Sequence, residues 1–442
     1  MDTITLHATP LKAARLRDLP TEVHVLLRLV APDRPAELPA RAPLDLALVV
    51  DRSGSMSGQP LREAIRAAQE AVRALGPDDR VCVVAFDHRV AVPVEPSPAR
   101  PEGPILTALS ALEARGRTDL EAGWRAARDR LAALDAPPAG APSRDAQIVL
   151  LSDGRANVGV IDPVTLGAAA GAAADAGVCT TTLGLGQDFD EDLLTEIADL
   201  GRGRAYYGET AEDLRDPLRE ELGLLDHRLT RGLRLRVEGP PGVELTVLNR
   251  LIQDGDGQWR LPDLAYDGEA WAMVRLRAPA CGEDGGAPLL RATATWQTSE
   301  GEPAQCSAAL DLPCLPAEAY ADVAPDPLVE ARQDELRAAE LQDGMRAAAR
   351  KGDWPQVEAL LERAKTESAG NPWVQAVLAS LERMARQRDR VRFSKSSRYA
   401  SHKMRRRLAD KGEAAGAWGA EAKASYLRRK EEMGKGDRDD ET

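Results

Sequence analysis

The side chains of Asp51, Ser53 and Ser55 follow directly on an apolar run, Leu44 to Val50. This run of Leu, Ala and Val lacks alternation and is followed by a helical pattern from Pro60, so it predicts a buried parallel strand entering a strand-to-helix turn. Open α/β sheets bind ligands at the loops that follow such strands. One carboxylate and two hydroxyls at alternate positions are hard oxygen donors. They predict a site for Mg²⁺, Mn²⁺ or Ca²⁺.

Two later segments carry further oxygen donors. Thr118 stands just before a helical pattern, and Asp153 ends a second apolar run, Ile148 to Ser152. Two of the three loops follow buried strands and one opens a helix, so all three can converge on one edge of a parallel sheet. Thr118 also has an alternative role, because threonine is a common N-cap of helices.

Together these positions resemble the metal-ion-dependent adhesion site of von Willebrand factor A domains, with matches at Asp51, Ser53, Ser55, Thr118 and Asp153. The resemblance spans about residues 44 to 224. It implies a doubly wound α/β domain that holds Mg²⁺ with one open coordination position for an acidic side chain of a partner protein. It also implies that the serines and the threonine ligate directly or through water, and that the aspartates often act through water.

The rest of the chain changes its period at Arg228. Short alternating runs separated by Pro, Gly and Asp predict an antiparallel β-sandwich over residues 228–315. Residues 1–43 contain an alternating segment that is too short to be a domain, so we expect it to pair with the sandwich. The predicted fold class is therefore α/β: a doubly wound domain, residues 44–227, inserted in a β-sandwich domain and followed by a C-terminal α-helical region.

That C-terminal region has two predicted parts. Residues 328–390 have helical period and resemble one tetratricopeptide-like hairpin, and residues 391–442 form a basic, then mixed-charge tail that we expect to be partly disordered. From Arg383 to Arg407, eleven Lys and Arg residues oppose only Asp389. This segment either binds nucleic acid, anionic lipid or an acidic partner, or folds as a helix against the acidic remainder.

Composition restricts the function classes and the compartment. The formal net charge of −13 argues against nucleic-acid binding by the molecule as a whole. No secretory signal and no run of transmembrane length is visible, and the five cysteines contain no CxxC pair. Buried, reduced thiols are expected at Cys82 and Cys179. These features predict a cytoplasmic protein without a membrane span.

The leading hypothesis is a non-enzymatic, metal-dependent adaptor or scaffold that binds an Asp or Glu side chain of a partner protein. Family resemblance implies MoxR-type AAA+ ATPases as partners. The expected rim of the site consists of Met56, Arg117, Asp119, Arg155, Asn157 and the loop Asp188-Phe189-Asp190.

Two rival hypotheses belong to other classes. A Mg²⁺-dependent phosphoryl-transfer enzyme would use Asp51 as nucleophile, but no Asp-x-Asp follows and the chain has no Walker loop. Gly184 and Gly186 lack the third glycine of a dinucleotide-binding loop, which excludes a Rossmann cofactor site there. We therefore predict no catalytic residues. In the other rival hypothesis the domain is a scaffold and the basic C-terminal helix binds nucleic acid or an acidic partner.

Overall fold

The computed structural model describes residues 3–35, 41–135, 144–153, 156–185, 190–208, 228–281, 288–298, 300–406 and 409–410. The chain forms two compact units. One is Pro39–His227, which we call the inserted unit; the other combines Met1–Leu38 with Arg228–Thr442, and we call it the split unit.

The elements are numbered in chain order. The strands are β1 (Thr5–Pro10), β2 (Arg15–Leu16), β3 (Thr21–Val30), β4 (Leu44–Asp51), β5 (Arg80–Phe86), β6 (Val90–Pro98), β7 (Asp145–Ser152), β8 (Val178–Leu185), β9 (Arg202–Gly208), β10 (Arg231–Glu238), β11 (Glu244–Val247), β12 (Trp259–Arg260), β13 (Gly268–Ala278), β14 (Leu290–Gln297), β15 (Pro303–Leu310), β16 (Cys314–Leu315) and β17 (Ala409–Asp410). The helices are α1 (Gln59–Ala74), α2 (Gly103–Ser110), α3 (Leu120–Ala132), α4 (Pro163–Asp175), α5 (Glu191–Leu200), α6 (Ala317–Ala321), α7 (Pro327–Lys351), α8 (Trp354–Glu367), α9 (Pro372–Arg386) and α10 (Arg390–Arg406).

The inserted unit is built on a six-stranded sheet of order β6-β5-β4-β7-β8-β9. The strand β4 pairs in parallel with both β5 and β7, and all eight of its residues are buried. Strand β6 forms an antiparallel edge of this sheet by pairing with β5. Because β4 and β7 are parallel neighbours, Asp51 at the end of β4 and Asp153 just after β7 emerge at the same edge of the sheet.

Helices cover both faces of this sheet. Leu46 and Leu48 of β4 pack with the apolar side of α1. On the opposite face α3 approaches β5 closely, because Gly123 leaves room for the ring of Phe86. Burial on both faces is the reason for the continuous apolar run in β4. The doubly wound fold is confirmed.

The split unit contains two antiparallel sheets, of order β1-β3-β13-β11 and β12-β10-β14-β15, with their apolar faces packed together. Strand β17 also pairs with β13. The N-terminal strand β3 pairs with β13 along Thr21 to Val30. The N-terminal strands β1 and β3 thus belong to one sheet of the sandwich.

The helical region packs on this sandwich. On the outer face of the first sheet, Trp271 and Met273 contact Val329 and Leu336 of α7. Charged groups are buried there as well: Arg332 of α7 donates to Glu335, and its Nη2 lies 3.5 Å from Glu269 Oε1. The C-terminal helices α7 to α10 share a further apolar cluster.

The start of the predicted basic tail is part of this helical region. Residues 390–406 form α10, in which Phe393 is buried and meets Trp354 edge to face. Arg405 donates to Asp343 of α7 at 2.7 Å. Arg405, one of the eleven basic residues, thus pairs within the protein, which favours the alternative in which this segment folds as a helix against the rest of the chain. The mixed-charge residues beyond 410 lie outside the described residues.

Cys281 and Cys314 form a disulfide, with sulfurs 2.03 Å apart. Cys82, Cys179 and Cys306 are not disulfide-bonded. The bond was not predicted, because the two cysteines lie 33 residues apart and show no motif. Disulfides persist mainly in oxidising compartments, so this bond argues against the expected reducing one. No described helix has both the length and the apolarity needed to cross a membrane.

Candidate metal centre

The five predicted donors lie on three loops at the carboxyl edge of the inserted sheet. Asp51, Ser53, Thr118 and Asp153 are buried, whereas Ser55 is exposed. Ser53 directly precedes a single 3₁₀ turn, Gly54–Met56, that brings Ser55 back toward it. Four donors thus form a buried floor, and Ser55 stands at the surface.

Hydrogen bonds fix the first loop. The amide of Ser53 donates to Asp51 Oδ1 at 2.8 Å, and the hydroxyl of Ser152 donates to Asp51 Oδ2 at 2.6 Å. The hydroxyl oxygens of Ser53 and Ser55 lie 3.0 Å apart. Both oxygens of Asp51 are therefore held in place from within the protein.

The second and third loops are tied to each other at Thr118. Its amide donates to Asn157 Oδ1 at 3.1 Å, and its carbonyl accepts from the amides of Asn157 and Val158. The second loop also contacts the first, because Gly54 N donates to Gly116 O at 3.0 Å. The cap of α3 is Asp119, whose side chain accepts from Ala122 N. The alternative role of Thr118 as a helix cap is therefore not needed.

The electrostatics of the floor favour a cation. Burial, together with the negative charge of Asp153, raises the pKa of Asp51 to about 6, although hydrogen bonds from Ser152 and Ser53 act in the opposite direction. The buried carboxylates of Asp51 and Asp153 are poorly solvated and thus repel each other at the same edge of the sheet. A divalent cation between them would remove this repulsion.

The donor set also fits a hard cation in its chemistry. Within the described ranges no three His, Cys, Asp or Glu side chains cluster closely enough to hold a metal by themselves, so a cation at this site would also need neutral oxygen ligands such as the hydroxyls of Ser53, Ser55 and Thr118. The spacing of 3.0 Å between the Ser53 and Ser55 oxygens is about that of neighbouring ligands in an octahedron with metal–oxygen bonds of about 2.1 Å. Oxygen donors alone match Mg²⁺, Mn²⁺ or Ca²⁺.

Sequence reasoning missed Asp87, which is fully buried after β5. Its Oδ2 lies 3.0 Å from Arg52 Nε and 3.1 Å from Arg115 Nε, and its Oδ1 lies 2.9 Å from His88 Nδ1. Burial alone would raise the pKa of Asp87. The bonds from Arg115 and the amide of Arg89, with the charge of Arg52, hold that pKa below its ordinary value. The sequence around Asp87 shows only a turn, so no local pattern could have revealed these contacts.

The predicted rim needs one correction. Met56 is fully buried in the core with residues of α1 and β4, so it does not face a partner. Its position in the 3₁₀ turn points it inward while Ser55 is exposed. Arg117 is exposed, and Asn157 is exposed while its amide oxygen binds Thr118.

Of the other rim residues, two cap helices and the remainder lie outside the described residues. Asp119 is half-buried and caps α3, and Asp190 caps α5 by accepting from the amides of Asp192 and Leu193. Arg155 and the positions 188 and 189 lie outside the described residues.

Several curated proteins are similar to this chain. The protein sll0103 of Synechocystis sp. is 30% identical over 267 residues, which cover 57% of this chain and 61% of that protein. YfbK of Escherichia coli is 28% identical over 218 residues, covering 48% of this chain and 36% of that protein. The chain thus spans less than two thirds of the length of these relatives.

Two solved structures share the fold. A von Willebrand factor type A protein from Catenulispora acidiphila superposes with a TM-score of 0.67 at 18% identity, covering 86% of this chain and 90% of that one. The ArnB paralog VWA2 from Sulfolobus acidocaldarius gives a TM-score of 0.58 at 16% identity, covering 91% of this chain and 98% of that one. At these identities the likeness concerns the fold alone.

A family model matches part of the inserted unit. Residues 46–155 match the model of the von Willebrand factor type A domain. The matched segment contains β4 from Leu46 onward, all of β5 and β7, and all five candidate donors. The inserted unit therefore has an α/β fold of the von Willebrand factor type A kind.

Proposed function

We propose that the inserted unit is a metal-dependent protein-binding module. The domain type is generally one for protein interaction or adhesion. The observation that carries the finer proposal is the linkage of three oxygen-bearing loops around the buried pair Asp51 and Asp153. A Mg²⁺ ion bound there, or Mn²⁺ or Ca²⁺ in its place, would offer an open coordination position to a carboxylate of a partner protein.

The residues of the chain have distinct tasks in this proposal. Asp51 and Asp153 supply the negative charge that selects a cation, and Ser152 fixes the orientation of Asp51. Ser53, Ser55 and Thr118 add neutral oxygens, so a bound dication is balanced by the two aspartates alone, and the site does not repel a partner's carboxylate as one with a third acidic ligand would. The exposed side chain of Arg117 next to Thr118 would further attract an acidic partner.

The partner we propose is a protein with an accessible Asp or Glu. The family resemblance names MoxR-type AAA+ ATPases as the first candidates to test. In this proposal the whole chain acts as an adaptor or scaffold. The basic C-terminal segment is a weaker candidate for the binding function, because Arg405 and Phe393 are engaged within the helical region.

Partner capture from a host lysate tests the proposal, with the full chain as bait in Mg²⁺ or excess EDTA. Asp51→Ala, and separately Ser53→Ala with Ser55→Ala, should abolish capture, while the melting temperature measured in EDTA changes little. Asp153→Ala should act similarly, with weaker loss if that carboxylate acts through water. The matched control is Ser57→Ala, an exposed serine at the end of the same turn, which should capture normally.

A direct titration separates cation binding from partner binding. Mn²⁺ added to the full chain and followed by electron paramagnetic resonance should show one site that Asp51→Ala removes. Capture that persists in Asp51→Ala and in EDTA contradicts the bridging role of the metal.

A further inference from the structure

We propose that Asp87 is a positioning residue that fixes two donor-bearing loops of the candidate metal centre relative to each other. This inference rests on the proposed function, since it assigns a role in forming the same site. Asp87 is not itself a candidate ligand. Its carboxylate is fully buried and faces arginines from two different loops.

The contact to the first loop runs through Arg52. This residue stands between the donors Asp51 and Ser53 in the chain, and its buried side chain places Nε 3.0 Å from Asp87 Oδ2. Its amide also donates to Phe86 O at 2.8 Å. A fixed Arg52 fixes the backbone that presents the donors on either side of it.

The contact to the second loop runs through two groups. Arg115 donates from Nε to Asp87 Oδ2 at 3.1 Å, and the amide of Asp119 donates to the carbonyl of Asp87 at 2.9 Å. These two residues bracket Thr118. Arg115 N in turn donates to Arg52 O at 2.7 Å, so the two loops also touch each other beside Asp87.

Disrupting the contacts of Asp87 costs more free energy than disrupting a neutral turn, because the groups that pair there are charged and buried. A buried carboxylate needs paired cations, and here both cations come from the loops that carry the donors. Removing the charge of Asp87 leaves the buried guanidinium of Arg52 without a counter-ion. The first loop is then no longer held in its present conformation by this ion pair. The third loop is affected indirectly, because Asn157 accepts a hydrogen bond from the amide of Thr118 in the second loop.

A matched control lies at the other end of the same strand. Asp79 precedes β5 as Asp87 follows it, and it too is buried and paired with an arginine, Arg41. It also accepts from the amides of Leu44 and Gly76. Asp79 touches none of the donor-bearing loops in these bonds. Its substitution therefore reports the general cost of neutralising a buried carboxylate in this unit.

The test is the Mn²⁺ affinity of the full chain, measured by electron paramagnetic resonance for the native protein, Asp87→Asn and Asp79→Asn. We expect Asp87→Asn to weaken binding at least tenfold and Asp79→Asn to leave it within twofold, while both lower the melting temperature. Equal losses in the two variants, or native affinity in Asp87→Asn, overturn the proposal.

A metal-free measurement separates this proposal from the proposed function. Hydrogen–deuterium exchange of the amides in 51–57 and 115–120 should accelerate in Asp87→Asn and not in Asp79→Asn. If the native chain binds no Mn²⁺, the proposed function fails, and unchanged exchange in Asp87→Asn then refutes the positioning role separately. If Asp87→Asn does not fold, Arg115→Gln replaces it because that side chain is largely exposed; a threefold loss of affinity supports the role and native affinity refutes it.

Discussion

At the scale of single residues, the candidate metal ligand Asp51 has an electrostatically unfavourable environment for its charged form. It is fully buried beside another carboxylate, and its pKa is raised to about 6 because the charged form is poorly solvated and repelled by Asp153. Each pKa unit corresponds to about 1.4 kcal/mol between the two protonation states. The site is therefore strained electrostatically in a way that a bound cation relieves.

A pH dependence follows from this raised pKa. Without metal, the folded chain holds a proton on Asp51 between its ordinary pKa near 3.8 and the raised value of about 6, where the unfolded chain has lost it. The contribution of Asp51 to stability is then fully present below pH 4 and is lost as pH rises through 6. A cation requires the ionised carboxylate, so its stabilising effect should increase over the same range.

Thermal unfolding in Mg²⁺ and in EDTA from about pH 5 to pH 7.5 measures this effect. The difference between the two melting temperatures should be small at pH 5 and reach a plateau above pH 7. Taking the difference between the two melting temperatures cancels the contribution of groups elsewhere that titrate in the same pH range. Asp334 is one such group, because burial raises its pKa to about 6. A difference that is constant across the range, or that survives in Asp51→Asn, contradicts the assignment.

At the scale of elements, the site depends on how closely α3 approaches the sheet. An ideal Cβ on Gly123 would lie 2.5 Å from ring atoms of Phe86 and 2.8 Å from its Cβ. Phe86 ends β5, one residue before Asp87, and α3 begins two residues after Thr118. The glycine thus allows the helix that follows the second donor loop to sit against the strand that carries the positioning residue.

Gly123→Ala should therefore destabilise the inserted unit by about 1–3 kcal/mol, because the buried methyl forces α3 away from β5. It should also weaken Mn²⁺ binding, since Thr118 moves with α3. The control is Gly344→Ala in the middle of α7, where the added Cβ meets only the tip of Leu360 at 3.3 Å. That change should alter stability by less than about 1 kcal/mol. Denaturant unfolding that gives equal effects for both glycines contradicts this account of the packing.

At the scale of the whole molecule, the candidate metal centre and the disulfide lie in different units. All five candidate donors belong to the inserted unit, and the Cys281–Cys314 disulfide belongs to the split unit. The disulfide joins Cys281, three residues after β13, to Cys314 at the start of β16, and it closes a segment that contains β14 and β15. A loop of 33 residues closed in this way stabilises a fold by about 3–4 kcal/mol in the chain-entropy model.

A reductant should therefore lower the melting temperature of the split unit, and the double variant Cys281→Ser, Cys314→Ser should melt identically with and without it. Alkylation of the denatured, unreduced protein should modify the three other cysteines, as read by mass spectrometry. If protein taken from its host shows five modified thiols, the bond is not formed there and the expected reducing compartment is supported instead.

The apolar runs, the turn residues and the spacing of the oxygen donors determined the outline of this protein. β4 is recognisable because a strand buried on both faces must be apolar throughout, and the donors after it are recognisable because their types and order match a known site. The change of period at Arg228 likewise predicted the sandwich, since alternation follows from burial on one face.

Only the tertiary structure decided which groups meet across the chain. The carboxylate of Asp87 gains its role from Arg52 and Arg115, which are distant in sequence and carry no periodic signal. Met56 turned inward because the 3₁₀ turn, not its position beside Ser55, sets its direction. The basic helix became part of the interior for the same reason: burial of Phe393 and pairing of Arg405 depend on α7 and α8, which local composition cannot report.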